Sequence, residues 1–324
     1  MDSISIIRTP IESELEAFKE LYDSSLSSSN TLLDSVVAHI RQRSGKMMRP
    51  ILVLLVARLY GVVSPATLHA AVSLELLHNA SLVHDDVVDE STERRGQLSV
   101  NAIFNNKVAV LTGDYLLATS LVHAELTNSH QIIRLVSSLG QDLADGELLQ
   151  LSNVSNHSFS ETVYFDVIRK KTAALFAACT EAAAYSVGVS EEEVKLARLL
   201  GEYIGICFQI KDDIFDYYSS GEIGKPTGND MSEGKLTLPA LHVLNTLGDE
   251  KMCQLALRIK SLDATDAEIS LFIDYVKKNG GIEYARQVMV DYRNRALDLL
   301  PSTADTTIKD ALTAYIDYVI ERKK

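Results

Sequence analysis

Cysteine is scarce in this chain. Three occur in 324 residues, Cys179, Cys207 and Cys253, each alone within a helical pattern. An odd, scattered count excludes a disulfide framework and offers no zinc-ligand spacing, so these read as reduced core thiols of a cytosolic protein. Positive charge is also in short supply. Against 44 Asp and Glu stand 31 Lys and Arg, a net charge of −13. That balance argues against nucleic acid and against an anionic membrane surface as partners. An anionic substrate would gain nothing from the global field, and local cations and metal would have to hold it. Long apolar runs are absent: the longest, Ile51 to Ala57, is far too short to span a bilayer, so no stable membrane insertion is expected. The opening Met1-Asp2-Ser3-Ile4-Ser5 has neither the basic nor the apolar part of a signal peptide, and the expected location is cytoplasmic. Sustained period-two alternation, a Gly/Ser/Pro-rich linker and a repeat of solenoid period are missing too.

What is present is helix. Leu15, Phe18, Leu21 and Tyr22 recur at three- and four-residue spacing, as do Ala311, Leu312, Tyr315, Ile316 and Val319. Pro10, Pro50, Pro65, Pro239 and Pro301 fall where helices would begin, and Pro226 sits in a Gly-Lys-Pro-Thr-Gly loop. The pattern predicts about ten to thirteen helices and essentially no sheet: an all-α bundle forming one domain over 1–324. The clearest helices are expected at 11–26, 31–43, 65–88, 102–126, 131–151, 159–187 and 191–218.

Two stretches dominate the chemistry. Asp85-Asp86-Val87-Val88-Asp89 and Asp212-Asp213-Ile214-Phe215-Asp216 each close a long apolar run. On a helix, residues four apart share a face, and like charges there repel. A single such cluster reads as a solvated acidic helix end. Two copies point to a hard divalent cation, because Mg²⁺ binds through one or two carboxylates plus substrate phosphate oxygens. Basic residues near the clusters could hold the remaining phosphate oxygens: Arg94 and Arg95, Lys46 and Arg49, Lys170 and Lys171, Lys225 and Lys235. Taken singly, each pair is a solvated surface charge. His78 lies two turns before Asp85 on about the same face and, as a lone histidine, reads as a core residue. Glu75 and His78 also match the E-x-x-H spacing of di-iron bundles, but no other histidine has a glutamate three residues earlier, so that reading fails.

The ordered set G-K-x-x-R-P (45–50), D-D-x-x-D-x-x-x-x-R-R-G (85–96), K-T (171–172), F-Q-x-x-D-D-x-x-D (208–216) and G-K-x-x-G-x-D (224–230) with Lys235 resembles the trans-isoprenyl diphosphate synthases. The resemblance implies the isoprenoid synthase type of helical bundle, built around a central cavity and working as a homodimer. It also implies the reaction: an allylic diphosphate loses pyrophosphate with the help of three Mg²⁺, and isopentenyl diphosphate adds head-to-tail to the carbocation. Carried over by motif, Asp85, Asp86, Asp89, Asp212, Asp213 and Asp216 hold metal. Arg94, Lys171, Lys225 and Lys235 hold the allylic diphosphate; Lys46, Arg49, His78 and Arg95 hold isopentenyl diphosphate. Thr172 and Gln209 face the carbocation. Met47 departs from the pattern, standing where many members carry another Arg or Lys.

Product length follows from the helix before Asp85. Ser81 and Ala80 are four and five residues back, about 6–7 Å along the axis. In short-chain members of the resembling family, bulky aromatics there form a floor. Here both are small, so a tunnel is expected to continue toward Leu77, Leu74 and Ser73, giving a long product such as an octaprenyl-like quinone side chain. The competing explanation is that small residues let a neighbouring helix pack closely. A shorter, geranylgeranyl or farnesyl product remains the alternative. A terpene cyclase of the same fold fits less well, since cyclases usually replace the second aspartate cluster and need no isopentenyl site. A non-catalytic partner subunit commonly loses a cluster, and neither is lost here.

Overall fold

The structure, a computed structural model, describes residues 3–42, 46–94, 96–154, 158–218 and 228–322. The described chain is helical almost throughout, as the three- and four-residue spacing predicts. Its one sheet among the described residues is the two-stranded hairpin β1 (Glu93–Arg94) and β2 (Gln97–Leu98), paired Glu93 with Leu98 and Arg94 with Gln97. The hairpin departs from the sheet-free expectation, and its turn places Gly96 at φ 74, a conformation glycine adopts without a Cβ penalty. The backbone divides into two compact units. The first comprises Met1–Gln141, Leu175–Gly201 and Leu300–Tyr315; the second comprises Asp142–Ala174, Glu202–Leu299 and Ile316–Lys324.

The first unit opens with α1 (Ser3–Arg8), a 3₁₀ turn at Thr9–Ile11, α2 (Glu12–Ser25), α3 (Thr31–Gln42), α4 (Met48–Tyr60) and α5 (Pro65–Val88). Pro10 therefore lies in a 3₁₀ turn; the helix expected at 11–26 is α2, and α1 is an additional short helix before it. α4 carries the Ile51–Ala57 run, every residue of it buried, which explains a helix apolar on all sides. α5 starts where expected because Ser64 accepts from Thr67 N, the Thr67 hydroxyl reciprocates to Ser64 N, and Pro65 occupies the first turn.

After β2 come α6 (Val100–Phe104) and α7 (Asn106–Leu126). The single helix expected at 102–126 breaks at Asn105, whose φ of 91 is non-helical and whose Oδ1 caps Val108 N. α7 lies along α5. His69 and His123 meet Nδ1 to Nδ1 at 3.1 Å, Ser73 and Ser120 meet hydroxyl to hydroxyl at 3.2 Å, and Gly113 leaves room for the ring of His84.

Next are α8 (His130–Val154), α9 (Glu161–Ile168), a π-helical segment (Arg169–Ala173), α10 (Ala174–Ser186) and α11 (Glu191–Phe215). The expected continuous helix 159–187 is thus interrupted by a wider turn, a device found often at functional sites. In the second unit follow α12 (Asn229–Ser232), α13 (Leu238–Leu247), α14 (Glu250–Lys260), α15 (Asp266–Lys278) and α16 (Gly281–Asp298); α17 (Thr306–Glu321) closes the order. Pro301 lies after α16 and not at the head of a helix. The second unit's core includes Ile204, Cys207, Ile210, Phe272 and Val276, and the Cys207 thiol donates to Met289 O at 3.3 Å. Burial raises the thiols of Cys179 and Cys207 to about 12, so both are inert core groups. No described helix is long and apolar enough to cross a membrane.

Candidate active site

In the first unit, α5 delivers Asp85 and Asp86 in its last turn, and Asp89 follows as its C-cap. Carboxylates are disfavoured here twice over: they repel each other, and the C-terminal end of a helix carries partial negative charge. Part of the compensation is visible. Asp86, 1% exposed, accepts from Arg94 Nε at 2.5 Å, and the hairpin that holds Arg94 is tied back by Asn101 Nδ2, which donates to Asp86 O and Ser91 O. Asp85 is half-buried and Asp89 exposed. His78 is buried two turns below Asp85. Lys46 is exposed, and Arg49 lays its guanidinium over the Phe176 ring, 5.1 Å from its centroid. Met47 stands between them in the left-handed region at φ 54. Arg95 lies outside the described residues.

The face of α5 that carries Asp85 also carries Ser81, His78 and Leu74. Ala80 is about 140° round the helix from Asp85, at 100° per residue, on the side where Ser73 and His84 meet α7. Ala80 and Leu77 are each 3% exposed, while the half-buried Ser81 donates to His78 O at 2.9 Å. Ser81 thus lies on the side of α5 that carries Asp85, and Ala80 on the side that carries Ser73 and His84.

In the second unit, a chain of hydrogen bonds links three elements. Tyr164 on α9 donates to Asp213 Oδ2 at 2.5 Å; Gln209 Nε2 donates to Asp213 Oδ1 at 2.8 Å; Thr172 Oγ1 donates to Gln209 Oε1 at 2.6 Å. Lys171 and Thr172 sit in the π segment, which packs so tightly on α8 that a Cβ at Gly146 would come 2.8 Å from Lys171 N. Lys171 pairs with Glu147 and reaches Gln150 Oε1 at 3.3 Å, and Lys235 pairs with Glu233. Lys171, Thr172, Gln209, Asp213, Asp230 and Lys235 line a cavity of about 160 Å³. Asp212 and Asp216 are not part of its lining. Asp212 Oδ1 accepts from Arg322 Nη2 at 2.8 Å, and Asp216, in the turn after α11, accepts from the backbone of Asn229 and Asp230. Lys225 lies outside the described residues.

Three residues of this site had no role in the motif reading. Asp230 is the last letter of G-K-x-x-G-x-D and could have been assigned from it. Tyr164 stands seven residues before Lys171, two helical turns, which is a weak signal. Nothing in the sequence pairs Arg322 with Asp212. Burial raises Asp213 well above the usual carboxylate range, with Asp230 adding to it. Asp230 is pushed up to about 7 by burial and by Asp216, with Lys235 opposing.

These donors suit a hard divalent cation. They are carboxylate oxygens at the C-terminal ends of α5 and α11, and in the second unit burial, with neighbouring carboxylates adding to it, disfavours ionisation of Asp213 and Asp230. Among the described residues no three His, Cys, Asp or Glu side chains form a ready-made metal site.

Residues 30–276 match the family model described as polyprenyl synthetase. The chain belongs to that family. It is therefore a prenyltransferase with the all-helical isoprenoid synthase fold, and Mg²⁺ is the metal with which this family binds diphosphate. An octaprenyl diphosphate synthase of Escherichia coli (strain K12) is 32% identical over 300 residues, covering 92% of this chain and 93% of its own. A crystal structure of a geranylgeranyl pyrophosphate synthase from Bacteroides thetaiotaomicron is 67% identical, with TM-score 0.88 and coverage of 99% and 100%. One of a decaprenyl diphosphate synthase from Rhodobacter capsulatus is 34% identical, with TM-score 0.92 and coverage of 99% for each.

Proposed function

We propose that this chain is an all-trans polyprenyl diphosphate synthase of the long-chain type. It would extend an allylic diphosphate with isopentenyl diphosphate to about eight isoprene units, a length suited to a quinone side chain and taken from the octaprenyl relative. The observation that carries the length is Ser81, a small residue one turn before Asp85 on the same face, where a bulky side chain would stop a growing chain. Octaprenyl and decaprenyl synthases among its relatives support the same reading. A second reading, a four-unit geranylgeranyl product, is favoured by the 67% identical Bacteroides protein. Incubating the purified chain with labelled isopentenyl diphosphate, an allylic primer and Mg²⁺, then sizing the dephosphorylated products, separates them. A product ending at four units overturns the long-chain reading.

Asp85, Asp86, Asp89, Asp212, Asp213 and Asp216 would hold the metal, three ions in all. When bound, Mg²⁺ supplies Lewis-acid stabilisation of the charge that develops on the leaving diphosphate. Arg94, Lys171, Lys225 and Lys235 would bind the allylic diphosphate. Lys171 and Lys235 rest on Glu147 and Glu233, so each would exchange a carboxylate for a phosphate oxygen. Lys46, Arg49, His78 and Arg95 would bind isopentenyl diphosphate. The Thr172 hydroxyl donates its hydrogen bond to Gln209 Oε1, which leaves its lone pairs to face a developing carbocation. The chain is expected to act in the cytoplasm, with residues 1–324 as one catalytic domain. A homodimer is supported by α7, which leaves Val110, Leu111, Leu121, Val122 and Leu126 between 41% and 59% exposed. Sedimentation of the purified chain tests that, and a monomer at assay concentration overturns it.

A further inference from the structure

Lys260 is the last residue of α14, and it lines the same second-unit cavity as Lys171 and Lys235. A lysine in the last turn of a helix is ordinary when solvated, because its charge suits the dipole. Lys260 is not solvated: it is 6% exposed. Its Nζ donates to Ser158 O at 3.1 Å, and that acceptor is neutral. An ammonium has three protons to place, and a buried charge without a counter-charge is costly. Among the described residues no carboxylate forms an ion pair with it. Lys171 and Lys235 differ in this respect, each resting on a glutamate. Burial lowers the pKa of Lys260 from its ordinary value. A cavity walled by three lysines, one of them without an acid partner, is built for an anion larger than a single carboxylate.

We infer that Lys260 is a third diphosphate-binding lysine, donating a charge-assisted hydrogen bond to the same diphosphate that Lys171 and Lys235 hold. The inference rests on the proposed prenyltransfer reading of this site and adds to it a residue outside the motifs. In the free protein Ser158 O occupies one donor of Lys260, and two remain for phosphate oxygens. The rival role is purely structural: Lys260 and Asn245 hold the successive carbonyls of Ser158 and Phe159, which would fix the approach to α9 without touching substrate.

The test is calorimetric binding of inorganic diphosphate, with Mg²⁺, to the full chain and to Lys260→Met. Loss of one bond to a charged group is expected to weaken Kd by roughly tenfold to a hundredfold. A Lys260→Met protein that binds diphosphate as tightly as the wild type overturns the inference, even if it melts earlier, because only the structural role then stands. A wild type that binds no diphosphate overturns the reading of the site itself, which distinguishes the two failures. Should Lys260→Met not fold, ¹³C-dimethylated wild-type lysines are followed by NMR, with Lys260 assigned by Lys260→Arg. Its resonance is expected to shift on adding diphosphate and Mg²⁺. Movement of the Lys171 and Lys235 signals without that of Lys260 overturns the proposal.

Discussion

The Tyr164 hydroxyl donates to Asp213 Oδ2 at 2.5 Å, and both side chains are buried. Gln209 covers the other oxygen, so two donors on different helices aim this carboxylate. Removing one leaves a buried acceptor short of a partner, which costs about 1–3 kcal/mol. Tyr164→Phe is therefore expected to lower the urea midpoint and to reduce kcat more than it raises KM. A variant as stable and as active as the wild type removes Tyr164 from the site.

At Gly146, α8 and the π segment approach closely. An added methyl would lie 2.8 Å from Lys171 N and 2.9 Å from Lys170 Cβ, and the backbone contact cannot be relieved by a side-chain rotation. Gly146→Ala should cost about 1–3 kcal/mol through overpacking and displace Lys171 and Thr172 together. Steady-state kinetics are expected to lose at least roughly tenfold in kcat/KM, since a misplacement of about 1 Å can cost a hundredfold. Unchanged kinetics would mean that the wider turn has no bearing on activity.

The metal assignment predicts that Asp85→Ala and Asp212→Ala each lower turnover by several orders of magnitude while circular dichroism stays native. The magnitude follows from losing stabilisation of the leaving-group charge, which often supplies the largest share of catalysis. Near-normal turnover by either variant at low Mg²⁺ would show that its cluster is dispensable.

Ser81 and Ala80 separate the two explanations of product length. Ser81→Phe should place a ring on the face of α5 below Asp85 and shorten the product to about three or four units while ionisation continues. Ala80→Phe, whose face packs toward α7, should also shorten it but at an added stability cost of about 1–3 kcal/mol. Product chromatography alongside thermal melting reads both effects. A long product from both variants would move the floor elsewhere.

The second unit also carries an acid-sensitive cap. Glu268 is held at about 2 by Arg258, by the backbone of Thr265 and by its hydroxyl. A carboxylate whose folded-state pKa lies below its ordinary value of 4.5 adds stability above that value. The contribution is lost as pH falls toward about 2. The melting difference between wild type and Glu268→Gln should accordingly be constant above pH 4.5 and shrink below it. A difference that stays constant down to pH 3 (roughly one unit above the folded value) would contradict the linkage.

Much of the molecule could be read in its residues because the signals are local. α5 runs from Pro65 to Val88 as expected, since capping, a first-turn proline and apolar spacing are all properties of neighbouring positions. The two aspartate clusters were legible for the same reason, as was the family, through motifs of fixed spacing. Local pattern also misled. Residues 159–187 keep helical spacing throughout, so the widened turn at Arg169–Ala173 leaves no trace in it.

What the tertiary structure alone decided is which distant groups meet. Arg322 pairs with Asp212 across 110 positions, Tyr164 with Asp213 across 49, and Lys260 reaches Ser158 across 102. It also put α7 against the side of α5 that carries Ser73, Ala80 and His84. Spacing along a chain determines which side of a helix a residue occupies. What lies opposite that side is determined by the burial of other segments, and that depends on the packing of the whole unit.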